Sequence, residues 1–178
     1  MNIKILNIGL AITFLFLSSI AFSQVDLLKQ EPKESSVAIE LSIEKVDESN
    51  YNLITSIELG KDSYIYSPFS NNEFYLPLTY NLKDNEHFVL QDELIEQPAS
   101  KPEIDPYLNR PIHFVRANTT YTQKIKIINT DDFSYQGLIE YLLEPSCIPY
   151  DLEYEIIMLD GELVAQQIGV RVSEEYKK

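Results

Sequence analysis

The sequence predicts an all-β protein, a β-sandwich of about eight to nine antiparallel strands. Apolar and polar residues alternate with a period of two along most of the chain, which is typical of strands with one buried face. Turn-forming Gly, Pro, Asp and Asn residues separate these segments at short intervals. No segment shows the apolar period of an amphipathic helix. A barrel is the alternative architecture.

The first half of the chain opens with two alternating segments and continues with shorter ones. Pro77 interrupts the fourth segment and favours an edge strand or a bulge, because proline cannot donate a hydrogen bond to a strand ladder. The predicted strands are residues 37–43, 51–57, 64–66 and 74–82, followed by a short apolar run at 87–90.

Residues 92–111 differ from the segments around them. They contain four prolines and five acidic residues and show no periodicity. A long loop inside a compact domain is uncommon and is often a lid or a binding loop. The alternative is a solvated surface excursion.

The second half returns to strand patterns. Asp160-Gly161 is a strong signal for a tight hairpin turn. Asp131-Asp132 and Gln136-Gly137 are interpreted as breaks between strands. The predicted strands are residues 112–116, 120–128, 138–143, 152–158 and 163–172.

The N-terminus has the pattern of a secretory signal peptide. Lys4 precedes an apolar run from Ile8 to Ile20, and small residues follow up to Ser23. The run is short for a membrane span, although a retained anchor is the alternative. We therefore expect a periplasmic or secreted protein with no stable membrane insertion after cleavage. The predicted division is a signal peptide at 1–23, a flexible lead-in at 24–35, one domain at 36–173 and a polar tail at 174–178.

The charge balance limits the classes of partner. The chain has 14 basic and 28 acidic residues, a net charge of −14. Nucleic acids and anionic membranes both require basic patches, so neither is an expected partner. The simplest consequence of the acidity is solubility.

The chain has one cysteine and two histidines. Cys147 has no internal disulfide partner, and composition alone favours a buried core thiol. The spacing of His87 and His113 matches no zinc motif, and the sequence has no phosphate-binding or dinucleotide fingerprint. No metal and no cofactor are expected.

Cys147 has distinctive neighbours. Pro145 and Pro149 bracket it and stiffen the loop of residues 144–150 by fixing φ. Glu144 and Asp151 are the nearest charges, and no basic residue lies within ten positions. Negative neighbours disfavour the thiolate, so the local sequence predicts a slow thiol unless a partner supplies positive charge.

Three ordered motifs resemble the N-terminal periplasmic domain of the DsbD thiol:disulfide interchange proteins. The first is the strand of residues 137–141 followed by Cys147-Ile148-Pro149. The second is the segment Asp62 to Ser67, and the third runs from Glu96 to Lys126 and includes Asp105-Pro106-Tyr107. Together they span roughly residues 37–158.

The resemblance implies an immunoglobulin-like sandwich that docks a thioredoxin-like or other periplasmic redox protein. Members of the family exchange thiols and disulfides through mixed disulfides, including in cytochrome c biogenesis. A cap loop covers the active cysteines until a partner docks. The residues implied for this site are Cys147 as the reacting thiol, Tyr141, Pro149 and Tyr150 as partner contacts, and Asp92, Glu93 and Leu94 at the cap position.

This chain departs from the family pattern at the reacting pair. Cys147 matches the second cysteine, the first is missing, and Tyr150 replaces a proline. A single Cys forms a mixed disulfide but cannot resolve it alone. The leading hypothesis is thiol:disulfide interchange through Cys147, at most a partial protein-disulfide reductase activity. The alternatives are a redox-inactive sandwich that binds a protein non-covalently and a secreted carbohydrate-binding or adhesion module that uses some of its 12 tyrosines.

Overall fold

The computed structural model describes residues 36–70 and 74–174. These residues form eleven strands and no α-helix, which confirms the predicted all-β class. The strands are β1 (Val37–Lys45), β2 (Asn50–Leu59), β3 (Ile65–Tyr66), β4 (Thr79–Asn81), β5 (Phe88–Gln97), β6 (Pro102–Ile104), β7 (Pro111–Val115), β8 (Thr119–Ile127), β9 (Phe133–Leu143), β10 (Ile148–Leu159) and β11 (Glu162–Val172).

The predicted signal peptide at 1–23, the lead-in at 24–35 and residues 175–178 of the predicted tail lie outside the described residues. Within the described part of the chain, no helix is long and apolar enough to cross a membrane.

Two four-stranded antiparallel sheets form the body of the domain. One has the order β1-β2-β8-β5, and the other has the order β11-β10-β9-β4. Their inward side chains share one core cluster, to which β2 contributes Leu53 and Ile57 and β10 contributes Leu152, Tyr154 and Ile156. Burial alternates along β2 and β10, as the apolar period in the sequence predicts.

A small third sheet lies at one end of this body, with the order β3-β7-β6. It has its own buried cluster of Tyr66, Ile112 and Phe114. An isolated antiparallel bridge between Tyr64 and Glu144 joins the entry to β3 to the end of β9. The small sheet is therefore attached to the larger one at the point where β9 ends.

The prediction that residues 92–111 form one long loop is wrong in part. Strand β5 continues through Gln97, and β6 pairs with β7 over Pro102 to Ile104. Near the end of β5, the Glu96 carboxylate accepts hydrogen bonds from the Tyr121 hydroxyl at 2.6 Å, the Ser67 hydroxyl at 2.8 Å and the Ser100 amide at 2.7 Å. These hydrogen bonds hold the segment of residues 92–111 against the two large sheets, although its sequence shows no alternation of apolar and polar residues.

The predicted break at Gln136-Gly137 is also wrong, because both residues lie inside β9. Gly137 is paired with Tyr154 of β10. A Cβ atom at Gly137 would lie 2.1 Å from Cζ of the Tyr154 ring, so the absence of a side chain makes room for that ring. The predicted turn at Asp160-Gly161 is confirmed, since both residues have the positive φ of a type I′ hairpin.

We expect Gly137→Ala to destabilise the domain by about 1–3 kcal/mol, since the added methyl group overpacks the fully buried Tyr154 ring. Urea denaturation followed by circular dichroism measures the change. Gly169→Ala is the matched control, because a Cβ there meets nothing within 4 Å and its effect should stay within about 0.5 kcal/mol. Equal losses in both variants would contradict the overpacking explanation.

Candidate functional site

Cys147 lies at the tip of the β9–β10 hairpin. Strand β9 ends at Leu143 and β10 begins at Ile148, so residues 144–147 form the whole connection. The Ser146 hydroxyl donates a hydrogen bond to the Leu143 carbonyl at 3.0 Å. Cys147 has a φ of 51°, the left-handed conformation that closes many short hairpin loops and that glycine or asparagine usually supplies.

The expectation of a buried core thiol is wrong, because Cys147 is exposed. Cysteine is often buried because its side chain is small and apolar. This average preference holds for the residue type and does not depend on where a given cysteine lies in the chain. At the tip of a hairpin, a side chain points away from the layer between the two sheets. Composition therefore predicted the wrong environment, and the hairpin places the thiol within reach of another molecule.

Glu144, the first residue of the turn, is a buried residue that is only 6% exposed. One of its oxygens, Oε1, accepts a hydrogen bond from the Tyr66 hydroxyl at 3.2 Å. The other, Oε2, accepts from the Cys147 thiol at 3.1 Å. Its backbone exchanges two hydrogen bonds with Tyr64, at 3.1 and 2.9 Å. Glu144 thus connects the thiol, the hairpin and the small sheet.

A cavity of about 570 Å³ opens beside the thiol. Its walls come from β3, β6 and β7, from the residues next to these strands and from the hairpin turn. The lining residues are Tyr64, Tyr66, Tyr75, Glu103, Ile104, Asp105, Pro106, Tyr107, Phe114, Arg116, Glu144, Pro145 and Cys147.

Five aromatic rings line this Cys147 cavity, those of Tyr64, Tyr66, Tyr75, Tyr107 and Phe114. Tyr66 and Tyr75 stack with centroids 4.4 Å apart, and Tyr64 meets Phe114 edge to face at 5.5 Å. The Arg116 guanidinium lies over the Tyr64 and Phe114 rings, at 4.3 and 4.7 Å from their centroids. Such interlocked rings form a rigid, largely apolar surface.

Carboxylates also line the cavity. Glu103 pairs with Arg116 at 3.1 Å. Asp105 accepts hydrogen bonds from the backbone of Tyr107 and Leu108 and from the Tyr75 hydroxyl, at 2.9, 2.7 and 3.1 Å. Burial opposes ionisation of Asp105, but these hydrogen bonds hold its pKa below the ordinary value.

The thiol is held in its protonated form. Its hydrogen bond to the Glu144 carboxylate, partial desolvation and the negative charge of Glu144 together raise the pKa of Cys147 above the ordinary value. The thiolate is the nucleophile in disulfide exchange, so a raised pKa slows the reaction at neutral pH. The direction agrees with the slow thiol that the neighbouring acidic residues predict.

Three of the predicted partner-contact residues lie away from the cavity lining. The Tyr141 and Tyr150 rings stack on each other at 5.5 Å and line a second cavity of about 540 Å³, between β1 and β11. Pro149 lies in β10, opposite Leu142 of β9. These residues share the hairpin with Cys147 but face other surroundings.

The residues predicted at the cap position lie at a bulge of β5. Asp92 has a φ of 56° and pairs with Lys124 at 2.8 Å, whereas Glu93 is exposed. Leu94 lines a third cavity of about 290 Å³. None of the three lines the Cys147 cavity. The segment that lines the cavity beside the thiol is Asp105-Pro106-Tyr107, which belongs to the third motif of the resemblance.

Sequence reasoning missed Arg116 and the tyrosines as parts of the site. Arg116 lies far from Cys147 along the chain, and only the antiparallel pairing of β3 and β7 brings it to the cavity. The sequence signal is the aromatic content of the segments at Tyr64, Tyr66 and Phe114, but aromatic residues are common in strands and do not by themselves indicate a site. Among the described residues, no group of three or more His, Cys, Asp or Glu could hold a metal ion.

Comparisons of the chain with models of known protein families, with curated proteins and with solved structures find no match.

We expect Glu144→Gln to speed alkylation of Cys147 several-fold at pH 7.5. The amide carries no negative charge, so two of the causes that raise the pKa of the thiol are weakened and the thiolate fraction at a given pH increases. The measurement is the rate of iodoacetamide labelling between pH 6.5 and 10, in which the midpoint should move to lower pH.

Glu140→Gln is the matched control for this experiment. Glu140 lies on β9, four residues before Glu144, and its substitution removes the same charge. Its carboxylate accepts a hydrogen bond from the Asn81 side chain rather than from the thiol. Its labelling profile should match that of the unmodified chain. A shift of the same size in both variants would contradict a specific role for Glu144.

Proposed function

We propose that this chain is an exported docking domain that contacts a thioredoxin-like redox protein at the Cys147 cavity, with Cys147 as the contact thiol. One observation carries the proposal. The single cysteine of the chain is exposed at the tip of a hairpin, beside a cavity walled by aromatic rings. A core thiol would have no access to a partner.

The chemistry is one thiol–disulfide exchange. The Cys147 thiolate attacks one sulfur of the partner's disulfide, a bond forms between the two proteins, and the partner's other sulfur leaves as a thiolate that takes up a proton. The reverse attack by that thiol restores both starting proteins. Because the chain has one cysteine, release depends on the partner's second thiol or on another thiol.

The cavity wall has features that suit protein docking. Stacked tyrosines supply rigid apolar area with polar edges, and such residues are enriched where protein partners bind. Tyr107 is 89% exposed and Ile104 is also exposed, both at the cavity. Exposed large apolar side chains next to a reachable thiol support a contact surface centred on Cys147.

A second candidate function is non-covalent binding of a partner without redox exchange. The hydrogen bond from the Cys147 thiol to Glu144 favours this alternative, since it keeps the nucleophile protonated. Both candidates use the same cavity. They differ in whether a covalent bond forms when the partner docks.

Trapping tests the proposal. The probe is a thioredoxin-like protein whose second active-site cysteine is replaced by Ala and whose first carries 5-thio-2-nitrobenzoate in a mixed disulfide. We expect the Cys147 thiolate to displace 5-thio-2-nitrobenzoate as a thiolate and to form a protein–protein disulfide that accumulates, because the partner has no second thiol to resolve it. Acid quenching, alkylation of free thiols and non-reducing electrophoresis measure the adduct. Cys147→Ser should abolish it, and reduction should release it.

The contrasting results separate the two candidates. Absence of a Cys147-dependent adduct would exclude the exchange role. Binding that survives Cys147→Ala in a pull-down, without an adduct in the unmodified chain, would favour the non-covalent alternative. Loss of both the adduct and the binding would exclude docking of this class of partner.

A further inference from the structure

The Glu144 carboxylate is buried without a cation. Its two oxygens accept hydrogen bonds from a phenol and a thiol, which are both neutral donors. Among the ion pairs that the described residues form, none includes Glu144. Burial of a carboxylate is unfavourable unless a positive charge or strong donors compensate it, so an incoming cation would stabilise this site.

The rings around this carboxylate already hold one cation. Arg116 lies over Tyr64 and Phe114 at distances typical of cation–π contacts. Tyr66 and Tyr75 form a stacked pair in the same wall, and the exposed Tyr107 ring lies at the cavity. The cavity therefore combines aromatic faces with a carboxylate, which is the chemistry that recognises ammonium and guanidinium groups.

The charges lining the cavity are unbalanced. Glu103, Asp105 and Glu144 contribute three carboxylates, whereas Arg116 contributes one guanidinium. The Arg116 guanidinium already forms an ion pair with Glu103. Asp105 is under the influence of Arg110. Glu144 therefore remains as the negative charge next to the thiol, and it attracts a positively charged group into the cavity.

We infer that the Cys147 cavity recognises a basic side chain of the docking partner, a Lys or Arg group that pairs with Glu144 beside the tyrosine rings. The inference rests on the proposed function, because it names the chemistry of the partner segment that enters this site.

Pairing would couple docking to activation of the thiol. A cation that takes Oε2 of Glu144 competes with the Cys147 S–H for the same acceptor. It also neutralises the charge that opposes formation of the thiolate. A partner with a basic residue beside its disulfide would thus bring the positive field that the chain itself does not place next to Cys147.

Small disulfides of different charge test the inference. The probes are cystamine, a dication, bis(2-hydroxyethyl) disulfide, which is neutral, and dithiodipropionate, a dianion. In each reaction the Cys147 thiolate displaces one half of the probe as a thiolate and keeps the other half in a mixed disulfide. Mass spectrometry of quenched samples gives the three rates at pH 8 and low salt.

The ratio of the cystamine rate to the neutral-probe rate is the measured quantity, because it cancels changes in the intrinsic reactivity of the thiol. We expect this ratio to fall by at least about threefold in Glu144→Gln, the order of effect that a single ion pair gives. Glu140→Gln has the same net charge and should keep the ratio of the unmodified chain. Thermal unfolding of each variant checks that the fold is intact.

An unchanged ratio in Glu144→Gln, an equal fall in Glu140→Gln, or failure of cystamine to react faster than the neutral probe would overturn the inference. The proposed function is judged separately by trapping. A partner adduct without a charge preference would retain the docking role and reject the basic side chain. A charge preference without a partner adduct would retain the recognition of a basic group by the cavity and reject the docking of a thioredoxin-like protein.

Discussion

The backbone pairing between Tyr64 and Glu144 is the contact on which the site depends. Two hydrogen bonds join the residue before β3 to the residue after β9. They fix the small sheet against the end of the larger one, and the cavity is the space between them. Without this pairing, the aromatic cluster on β3 and β7 and the thiol on the hairpin turn would belong to separate parts of the molecule.

Glu144 serves the fold and the chemistry with different groups. Its backbone holds the two sheets together, whereas its carboxylate accepts the Tyr66 hydroxyl and the Cys147 thiol. A side chain in this position is difficult to replace without changing the reactivity of the cysteine. The carboxylate that completes the packing at the end of the sandwich is also the group that keeps the thiol protonated.

Much of the architecture could be predicted because burial in a sandwich follows the same period of two as the sequence. The alternation in β2 and β10 is visible in both. Strand β6 was missed because all three of its residues are exposed, so no alternation exists to detect. Gly137 was interpreted as a break because glycine often ends strands, whereas its role is to make room for Tyr154, which lies on the neighbouring strand.

The site could be predicted only in part, for a related reason. The acidic surroundings of Cys147 are local in sequence, and their effect on the thiol was correct in direction. The exposure of the thiol and the presence of Arg116 depend on how distant strands meet, and neither leaves a local pattern.

The four-residue turn also has a kinetic consequence. Displacement at sulfur requires three nearly collinear sulfur atoms. A thiol–disulfide exchange at the tip of this short turn would therefore select partners by the direction from which they can approach Cys147.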